Sequence, residues 1–473
     1  MSIHMETSKK EIKVSNIKML EDNHKKYIYV PSINGLFEID DTIYYILSSH
    51  NKSMAEIYNQ LKEKIEENEF YNIIDSLIEN KIINDTNEKK PLETEKIKNI
   101  SALTLMMVQE CNLRCKYCYA GDGEYNEKGR MSIKTAKSTI DYLMVQSGER
   151  DDLSIVFFGG EPLLNFSVIK QTVEYAKLQA KLHNKKIGFS MTCNGTLINK
   201  EITKYILENN IAVQVSVDGN QDEHDFNRFY GNKKGSYDVI INRTKELREQ
   251  KQLGVRATIT PENVDLVEIY NHLFELNFRS IYAAPAIQMF SEEQFTDLSE
   301  SYNTLISYFE ELVNNKEYYK AVKLNNIMKN LERIHIGHES TYFCGAEVNF
   351  LAVDINGDLY PCHRFVNNKE YKQGNIFEGI NSISKSEFLA EAHVSNRLNC
   401  NNCWAKNLCG GGCHHENLEM TGKVTMPPLH YCILTQKQLE ATLYLYLRLT
   451  EEQREILLEK KNTKEFVRNG NQN

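Results

Sequence analysis

Short apolar runs alternate with longer amphipathic segments through the middle of the chain. Six runs have the length and β-branched content of buried strands, at residues 103–108, 153–158, 187–192, 211–217, 255–259 and 281–284. Five segments with helical spacing separate them, at residues 132–144, 166–182, 198–208, 237–249 and 264–276. The alternation predicts an α/β protein with a partial (β/α)6 TIM-like barrel, in which chemistry takes place at the C-terminal ends of the strands.

The segments that flank the barrel have other patterns. Two short apolar runs near the N-terminus precede three helical patterns, and Ser53 is of a residue type that caps helices. The segment just before the barrel is polar and predicts a linker. The predicted domains are an N-terminal domain at 1–85, the linker at 86–100, the barrel at 101–290, a helical connection at 291–342, a cysteine-rich domain at 343–432, and a C-terminal helix and tail at 433–473.

Composition narrows the class of protein. The 473 residues are 41% hydrophobic and 26% charged, which is typical of a globular chain. No stretch approaches the roughly 20 apolar residues of a membrane span, and the charged N-terminus lacks the apolar core of a signal peptide. We therefore predict a cytoplasmic location and no membrane partner. A net charge of −9, with basic residues dispersed along the chain, disfavours nucleic-acid binding.

The cysteines indicate metal chemistry. There are 11 of them, an odd number, crowded at residues 111–118 and 344–432, which does not describe a disulfide framework. Cys111, Cys115 and Cys118 follow the first barrel strand, and thiolates are soft ligands suited to iron–sulfur clusters or zinc. Three cysteines leave one iron of a 4Fe–4S cluster without a protein ligand. The alternative is a zinc knuckle with a fourth ligand from elsewhere.

This three-cysteine motif, with an aromatic residue before the third cysteine, resembles the radical S-adenosylmethionine (SAM) superfamily. The resemblance implies a 4Fe–4S cluster on the three cysteines, whose vacant iron is chelated by SAM. It extends to the Gly-Gly-Glu-Pro sequence after the second strand, where the glycines permit close backbone approach and the carboxylate would take the SAM ammonium. The residues assigned to SAM in this way are Tyr117, Gly159, Gly160, Glu161, Asn194, Ser216, Asp218 and Arg228.

Some of these residues have a structural alternative. Asn194 and Asp218 also suit capped turns at strand ends. Arg228 would hold a carboxylate of SAM or substrate, or else form a structural salt bridge. Cys193, at the end of the third strand, is predicted to be a buried structural thiol.

The later cysteines are spaced as in the SPASM domain, the auxiliary-cluster extension of peptide-modifying radical SAM enzymes. Seven cysteines follow this pattern, including a C-x2-C-x5-C-x3-C run that begins at residue 400. The resemblance implies two further 4Fe–4S clusters. One would be held by Cys400, Cys403, Cys409 and Cys432, and the other by Cys344, Cys362 and Cys413.

The cluster with three cysteines would have one open site. Anaerobic sulfatase maturases carry a further cysteine where this chain has Phe350, so an open iron would be free to bind a substrate thiolate, as proposed for thioether-forming enzymes. The maturases also place an aspartate base where this chain has His363, which disfavours sulfatase maturation. His363 is the candidate catalytic residue, as a proton acceptor or a donor to cluster sulfur; alternatively it is a loop histidine bonded to backbone carbonyls.

The N-terminal pattern resembles a RiPP recognition element, the winged-helix-like domain that binds the leader of a ribosomally made and modified peptide (RiPP). The pattern consists of a hairpin over residues 27–40 followed by helices. An exposed strand edge accepts an extended peptide as an added strand. The alternative is a structural cap.

Together these motifs resemble the maturases that form cysteine thioethers in sactipeptides and ranthipeptides. The resemblance implies SAM, three 4Fe–4S clusters, a precursor peptide with a leader, and an electron donor such as a flavodoxin or ferredoxin. A 5′-deoxyadenosyl radical would abstract a hydrogen from the peptide, and a peptide thiolate would add to the carbon radical. The alternatives are carbon–carbon crosslinking, side-chain oxidation as in sulfatase maturation, and a non-catalytic peptide-binding protein stabilised by zinc.

Overall fold

The computed structural model describes residues 11–83, 99–121 and 123–459. Most of the predicted linker at 86–100 and the predicted tail after residue 459 lie outside these residues. None of the helices in the described ranges combines the length and the apolar character needed to cross a bilayer.

The N-terminal domain begins with an antiparallel sheet in the order β1-β2-β3, formed by Lys18–Asp22, Lys25–Val30 and Gly35–Ile39. The predicted hairpin is β2–β3, whereas the sequence pattern missed β1, in which only Leu20 is buried. The three predicted helices follow at Asp41–Ser48, Met54–Leu61 and Glu67–Glu79. Ser53 caps the second helix as predicted, in a capping box with Glu56. The winged-helix-like classification stays a prediction.

Six parallel strands form the predicted partial barrel, and each lies within two residues of its predicted run. They pair in chain order as β4 to β9, at Ala102–Val108, Asp152–Gly159, Lys186–Cys193, Ala212–Ser216, Leu253–Ile259 and Ile281–Pro285. The predicted helices pack against the sheet at Ile133–Gln146, Phe166–Leu182, Lys200–Glu208, Tyr237–Glu249 and Leu266–Glu275. A short helix, Gln221–Asn227, follows β7. The α/β class is confirmed.

The cysteine-rich domain continues the barrel sheet at its β4 edge. Strand β10, Phe350–Val353, pairs parallel with β4, so that Ala352 lies opposite Thr104. Strands β11 to β13 extend the sheet antiparallel at Asp358–Tyr360, Gly374–Asn375 and Gly379–Ile380, giving ten strands. Because β11 runs opposite to β10 and β4, the loop that carries Cys362 begins near the level of the start of β4. The next residue, His363, reaches the three-cysteine loop, where its ring lies 6.0 Å from the ring of Tyr119.

The predicted connection after the barrel contains the helices Gln294–Asn314 and Asn325–His335, with the short helix Tyr318–Ala321 between them. Three helices lie in the cysteine-rich domain, at Ser382–Ala392, Lys406–Cys409 and His414–Thr421. The predicted single C-terminal helix is wrong in one respect, because the structure has two helices, Leu429–Arg448 and Glu451–Leu458. Thr450 caps the second helix in a capping box with Gln453, and this ends the first helix at Arg448.

The N-terminal sheet packs against the cysteine-rich domain and the C-terminal helix. Tyr29 of β2 is buried, and its ring lies edge-on to Trp404 at a centroid distance of 6.2 Å. The Asn407 side chain donates to the carbonyl of Pro31 at 2.5 Å. The two parts share a hydrophobic cluster of Leu20, Tyr29, Ile334, Ala405, Leu408, Leu439 and Leu443.

Candidate active site

The loop after β4 carries Cys111, Cys115 and Cys118 across the C-terminal end of the barrel. The N–H of Arg114 donates to the carbonyl of Phe229 at 2.7 Å, which ties this loop to the segment after β7. Burial raises the pKa of Cys111 to about 12, and the neighbouring Cys115 and Cys118 add to the shift. The three predicted ligands therefore meet at one place.

A cavity of about 460 Å³ lies between this loop and the barrel interior. Its size suits a small organic ligand, and all three cysteines are part of its wall. Of the residues assigned to SAM, those that line the cavity are Tyr117, Gly159, Gly160, Asn194, Ser216 and Arg228. Glu161 and Asp218 are fully buried behind the wall.

Glu161 is bonded to the protein backbone. Its Oε1 accepts from the N–H of Leu163 at 3.1 Å, and its Oε2 accepts from the N–H of Asn194 at 2.7 Å. Burial raises the pKa of Glu161 to about 7, although both N–H donors oppose the shift. The carboxylate fastens the loop after β5 to the loop after β6. This geometry does not support the predicted contact with the SAM ammonium, because the carboxylate faces the protein.

Asp218 is bonded in the same way. Its Oδ2 accepts from the Tyr117 hydroxyl at 2.5 Å and from Arg228 Nε at 3.0 Å, and its Oδ1 accepts from the N–H of Thr258 at 2.9 Å. Arg228 thus forms the salt bridge that was the structural alternative, while its Nη1 lies 3.8 Å from the sulfur of Cys115. Asp218 positions Tyr117 and Arg228 in the cavity wall, and a direct contact with SAM is not supported for it.

Asn194 caps its turn and also lines the cavity, while its contact with SAM stays a prediction. Its Oδ1 accepts from the N–H of Thr196 at 2.9 Å, which caps the turn after β6. Its Nδ2 donates to Asn112 at 2.8 Å and lies 3.8 Å from the sulfur of Cys111, so the residue also faces the cavity. Cys193 is a buried free thiol, as predicted.

The later cysteines lie near one another in two sets, and the assignment of these sets to two clusters stays a prediction. Burial raises the pKa of Cys432 to about 12, with Cys409, Cys400 and Cys403 adding to the shift; we call these four residues the four-cysteine group. Burial also raises the pKa of Cys362 to about 12, with contributions from Cys413 and Cys344; these residues are the second three-cysteine group. All cysteines of the chain are free thiols.

Three side chains form the cavity wall on the side of the second three-cysteine group. They are Phe350, His363 and Arg364, whereas Cys344, Cys362 and Cys413 do not line the cavity. The His363 ring lies 4.3 Å from the ring of Phe158. Burial, together with the nearby Arg364 and Arg256, lowers the pKa of His363 to about 3, so the imidazole is neutral and a weak base near pH 7. Arg364 is paired with Glu416 at 2.9 Å.

Two long polar side chains inside the barrel were not predicted from the sequence. Gln214 of β7 and Arg256 of β8 line the cavity. The guanidinium carbon of Arg256 lies 5.3 Å from the ring centroid of Tyr282. A polar residue within an otherwise apolar strand was the signal for both, because alternate residues of a barrel strand face the interior.

Two family models match the chain. Residues 105–273 match the radical SAM superfamily, and residues 344–404 match SPASM, an iron–sulfur cluster-binding domain. The chain belongs to the radical SAM superfamily. It is a radical SAM enzyme with a SPASM extension, and SAM and 4Fe–4S clusters are its cofactors.

Several known proteins are similar to this radical SAM enzyme. A cysteine-type anaerobic sulfatase-maturating enzyme of Clostridium novyi is 25% identical, over 68% of this chain and 89% of its own. The radical SAM cyclopropyl synthase TigE of Paramaledivibacter caminithermalis is 25% identical, over 80% of this chain and 84% of its own. An uncharacterised protein of Methanocaldococcus jannaschii is 30% identical, over 55% of this chain and 84% of its own.

A solved structure supports the fold. The structure of native anSMEcpe with bound AdoMet has a TM-score of 0.64 and 20% identity, and it covers 73% of this chain and 98% of its own.

The residues of the radical SAM enzyme fit its cofactors. The cysteines fall into groups of three, three and four free thiols, which is the soft donor set that iron–sulfur clusters require. The first group opens onto a cavity of suitable size for SAM, whose wall carries a tyrosine, an asparagine and an arginine. Cys111, Cys115 and Cys118 would hold the cluster that binds SAM.

Proposed function

We propose that this radical SAM enzyme modifies a ribosomally made peptide by joining a cysteine thiol of the peptide to one of its carbon atoms. The observation that carries the proposal is the position of Phe350. It lines the cavity and also packs in the hydrophobic cluster that contains Cys362. The second three-cysteine group therefore has an apolar side chain beside it and leaves a cluster site for a substrate thiolate.

The chain's own residues bind and orient the reactants. When bound, SAM and its cluster would supply the radical chemistry that removes a hydrogen atom from a carbon of the substrate. Tyr117, Asn194 and Arg228 line the place where SAM would bind, and Asp218 fixes two of them through hydrogen bonds. Because so reactive a radical attacks what lies in contact with it, the cavity walls select the carbon that reacts.

Sulfatase maturation is a second candidate, which the similarity to the Clostridium novyi enzyme supports. The sulfatase maturases use an aspartate as base, and this chain has His363 at that position. His363 follows the second SPASM cysteine, and burial lowers its pKa to about 3, so a proton held there near pH 7 is strongly disfavoured. We therefore keep His363 as a proposed hydrogen-bonding residue in the cavity wall and rank thioether formation first.

Carbon–carbon bond formation is a third candidate. The similarity to TigE extends over 410 residues, more than the 346 of the sulfatase-maturating relative, and its name describes a cyclopropyl synthase. Both crosslinks remove a pair of hydrogen atoms from the peptide, so mass alone does not separate them. Consumption of the cysteine thiol separates a thioether from a carbon–carbon bond.

We propose that the N-terminal domain recognises the leader of the peptide. In the described part of the chain β3 is an edge strand of its sheet, so one row of its backbone groups is available to an added strand. Phe37 on β3 is 43% exposed and offers an apolar contact beside that edge. The surplus electron of the reaction would pass to the auxiliary clusters, and a flavodoxin or ferredoxin would supply the electron that starts the cycle.

The test uses the cysteine-containing peptide encoded nearest to the gene of this enzyme. The enzyme, SAM and dithionite should yield a peptide lighter by a pair of hydrogens that no longer reacts with iodoacetamide, because thioether formation consumes one thiol for each bond. The same peptide with serine in place of cysteine should stay unmodified. A lighter product that keeps every reactive thiol would contradict the thioether proposal and support a carbon–carbon bond.

A further inference from the structure

A buried arginine lies between the two auxiliary groups of cysteines. Arg397 has no exposed surface and is the largest fully buried side chain among the described residues. It comes three residues before Cys400, whose N–H donates to the carbonyl of Arg397 at 3.2 Å. Its backbone is therefore fixed to the start of the four-cysteine group.

The guanidinium of Arg397 bonds to the glycine turn that separates Cys409 from Cys413. Its Nη1 donates to the carbonyl of Gly411 and, at 2.9 Å, to the carbonyl of Gly412. A Cβ on Gly411 would lie 2.4 Å from the Cδ of Arg397, so a larger residue in the turn would displace the arginine. Because Cys409 and Cys413 belong to different groups, the positive charge lies where the two groups meet.

The remaining donors of Arg397 also find neutral partners. Its Nε donates to the carbonyl of Ala392 at 3.1 Å, and its Nη2 contacts Nδ1 of His414. None of its hydrogen-bond partners is a carboxylate. A buried cation without an anion is strongly unfavourable, so the fold must provide negative charge nearby. As cluster ligands, Cys400, Cys409, Cys413 and Cys344 would be thiolates and would supply that charge; all four lie close enough to oppose the lowering of the Arg397 pKa by burial.

Two of the other arginines beside cysteines, Arg228 and Arg364, are paired with carboxylates, whereas Arg333, near Cys409, donates to the carbonyl of Leu408 at 2.9 Å. Arg228, at 3.8 Å from Cys115, is bonded to Asp218 at 3.0 Å, and Arg364 is bonded to Glu416 at 2.9 Å. Each carboxylate cancels much of the field of its arginine. The field of Arg397 is cancelled by no such partner and acts on the two auxiliary groups.

We propose that Arg397 is a positioning residue that raises the reduction potentials of both auxiliary clusters relative to the cluster that binds SAM. Reduction adds one negative charge to a 4Fe–4S cluster, and a fixed positive charge in a low-dielectric interior stabilises that state. The auxiliary clusters are thereby better electron acceptors than the SAM cluster, whose neighbouring arginine is neutralised. The inference rests on the cofactors alone and is independent of which bond the enzyme forms.

The test measures potentials in the full-length, anaerobically reconstituted enzyme. Electron paramagnetic resonance is followed during redox titration of Arg397→Gln and Arg397→Lys, and iron content is determined for each. The auxiliary signals are read in the background of Cys111, Cys115 and Cys118 all changed to alanine, which removes the SAM cluster. Arg248→Gln is the matched control, because Arg248 is also buried and bonded to carbonyl oxygens, at Ile241 and Leu276, with no cysteine among those partners.

Arg397→Gln should shift the reduction potentials of both auxiliary clusters to more negative values and leave the potential of the SAM cluster unchanged. In Arg397→Lys and in the Arg248→Gln control, the auxiliary potentials should stay near those of the wild type. If the glutamine variant loses auxiliary iron, retention of iron and potentials in the lysine variant supports the charge. Unchanged auxiliary potentials in a fully loaded glutamine variant would overturn the proposal. Loss of iron in both Arg397 variants would also overturn it, in favour of a purely structural role.

Discussion

Glu161 and Asp218 each place a carboxylate inside the protein, behind the wall of the cavity. Both accept hydrogen bonds from the backbone of neighbouring loops, and Asp218 also accepts from Tyr117 and Arg228. They hold the ends of β5, β6, β7 and β8 in a fixed arrangement. At this scale the acidic residues position the residues that would contact SAM, and pre-organisation of this kind lowers the cost of binding.

The pH dependence of stability tests the role of Glu161. Burial raises its pKa from the ordinary 4.5 to about 7. A pKa that is raised on folding contributes stability that is fully present below the unfolded value and is lost as the pH rises through the folded value. Between pH 4.5 and pH 7 the free energy of unfolding of the wild type should fall by about 3 kcal/mol more than that of Glu161→Gln, since one pKa unit corresponds to about 1.4 kcal/mol.

Urea denaturation under anaerobic conditions, at equal cluster loading, measures this difference. Glu201→Gln is the control, because the Glu201 side chain is 66% exposed and its pair with Lys170 contributes little. If the free energy of unfolding changed equally with pH in the wild type and in Glu161→Gln, Glu161 would not be a buried carboxyl with a raised pKa.

At the scale of elements, the loop after β5 packs directly under the loop that carries the first three cysteines. Gly160 lies where a Cβ would come within 2.2 Å of the carbonyl oxygen of Glu110 and 2.6 Å of that of Gly123. Gly159 has a φ of 133° and a Cβ there would be 2.1 Å from the carbonyl oxygen of Val108. The backbones of the two loops touch, so the cysteine loop depends on these glycines for its position.

Gly160→Ala should therefore displace the cysteine loop. We expect loss of roughly four irons of roughly twelve, counting four for each cluster, and loss of SAM cleavage to 5′-deoxyadenosine. Gly231→Ala is the control, because no heavy atom lies within 4 Å of its added Cβ. Full iron content and wild-type cleavage in Gly160→Ala would show that the loop adapts to the extra methyl group.

At the scale of the molecule, the N-terminal domain is part of the shell around the four-cysteine group. Tyr29 covers Trp404, next to Cys403, and Leu20 belongs to the same hydrophobic cluster as Leu439. A domain that served only to bind a leader would be removable without effect on the clusters. The shared hydrophobic cluster indicates that the N-terminal domain also shields the region of the four-cysteine group.

Deletion of residues 1–85 should therefore lower stability and reduce the iron content by roughly four, in addition to abolishing peptide modification. Phe37→Glu should leave iron content and SAM cleavage intact and weaken peptide modification alone, because Phe37 is exposed on the β3 edge. Ile78→Glu, at another exposed apolar residue of the domain, is its control. A truncated chain with full iron content would show that the shared cluster is dispensable.

Much of the architecture could be predicted because its signals are local. Alternating apolar runs placed all six barrel strands. The resemblance of the cysteine motifs to known families divided ten cysteines into three sets, and the members of each set lie near one another. The sequence did not predict the weakly apolar strand β1 or the break between the two C-terminal helices before Thr450. The polar residues Gln214 and Arg256 were also missed, because their role depends on facing a barrel interior.

The sequence by itself determined the barrel and the resemblance to the radical SAM superfamily, since periodicity and motif spacing are properties of short segments. Only the tertiary structure decided what the buried charges do. Glu161 accepts hydrogen bonds from two backbone N–H groups behind the cavity wall, and Asp218 forms a salt bridge with Arg228. Arg397 met the cysteines of two groups that are separated along the chain. A charge in a low-dielectric interior is bound by whichever dipoles and ions the fold brings within a few ångströms, and those neighbours come from distant parts of the sequence.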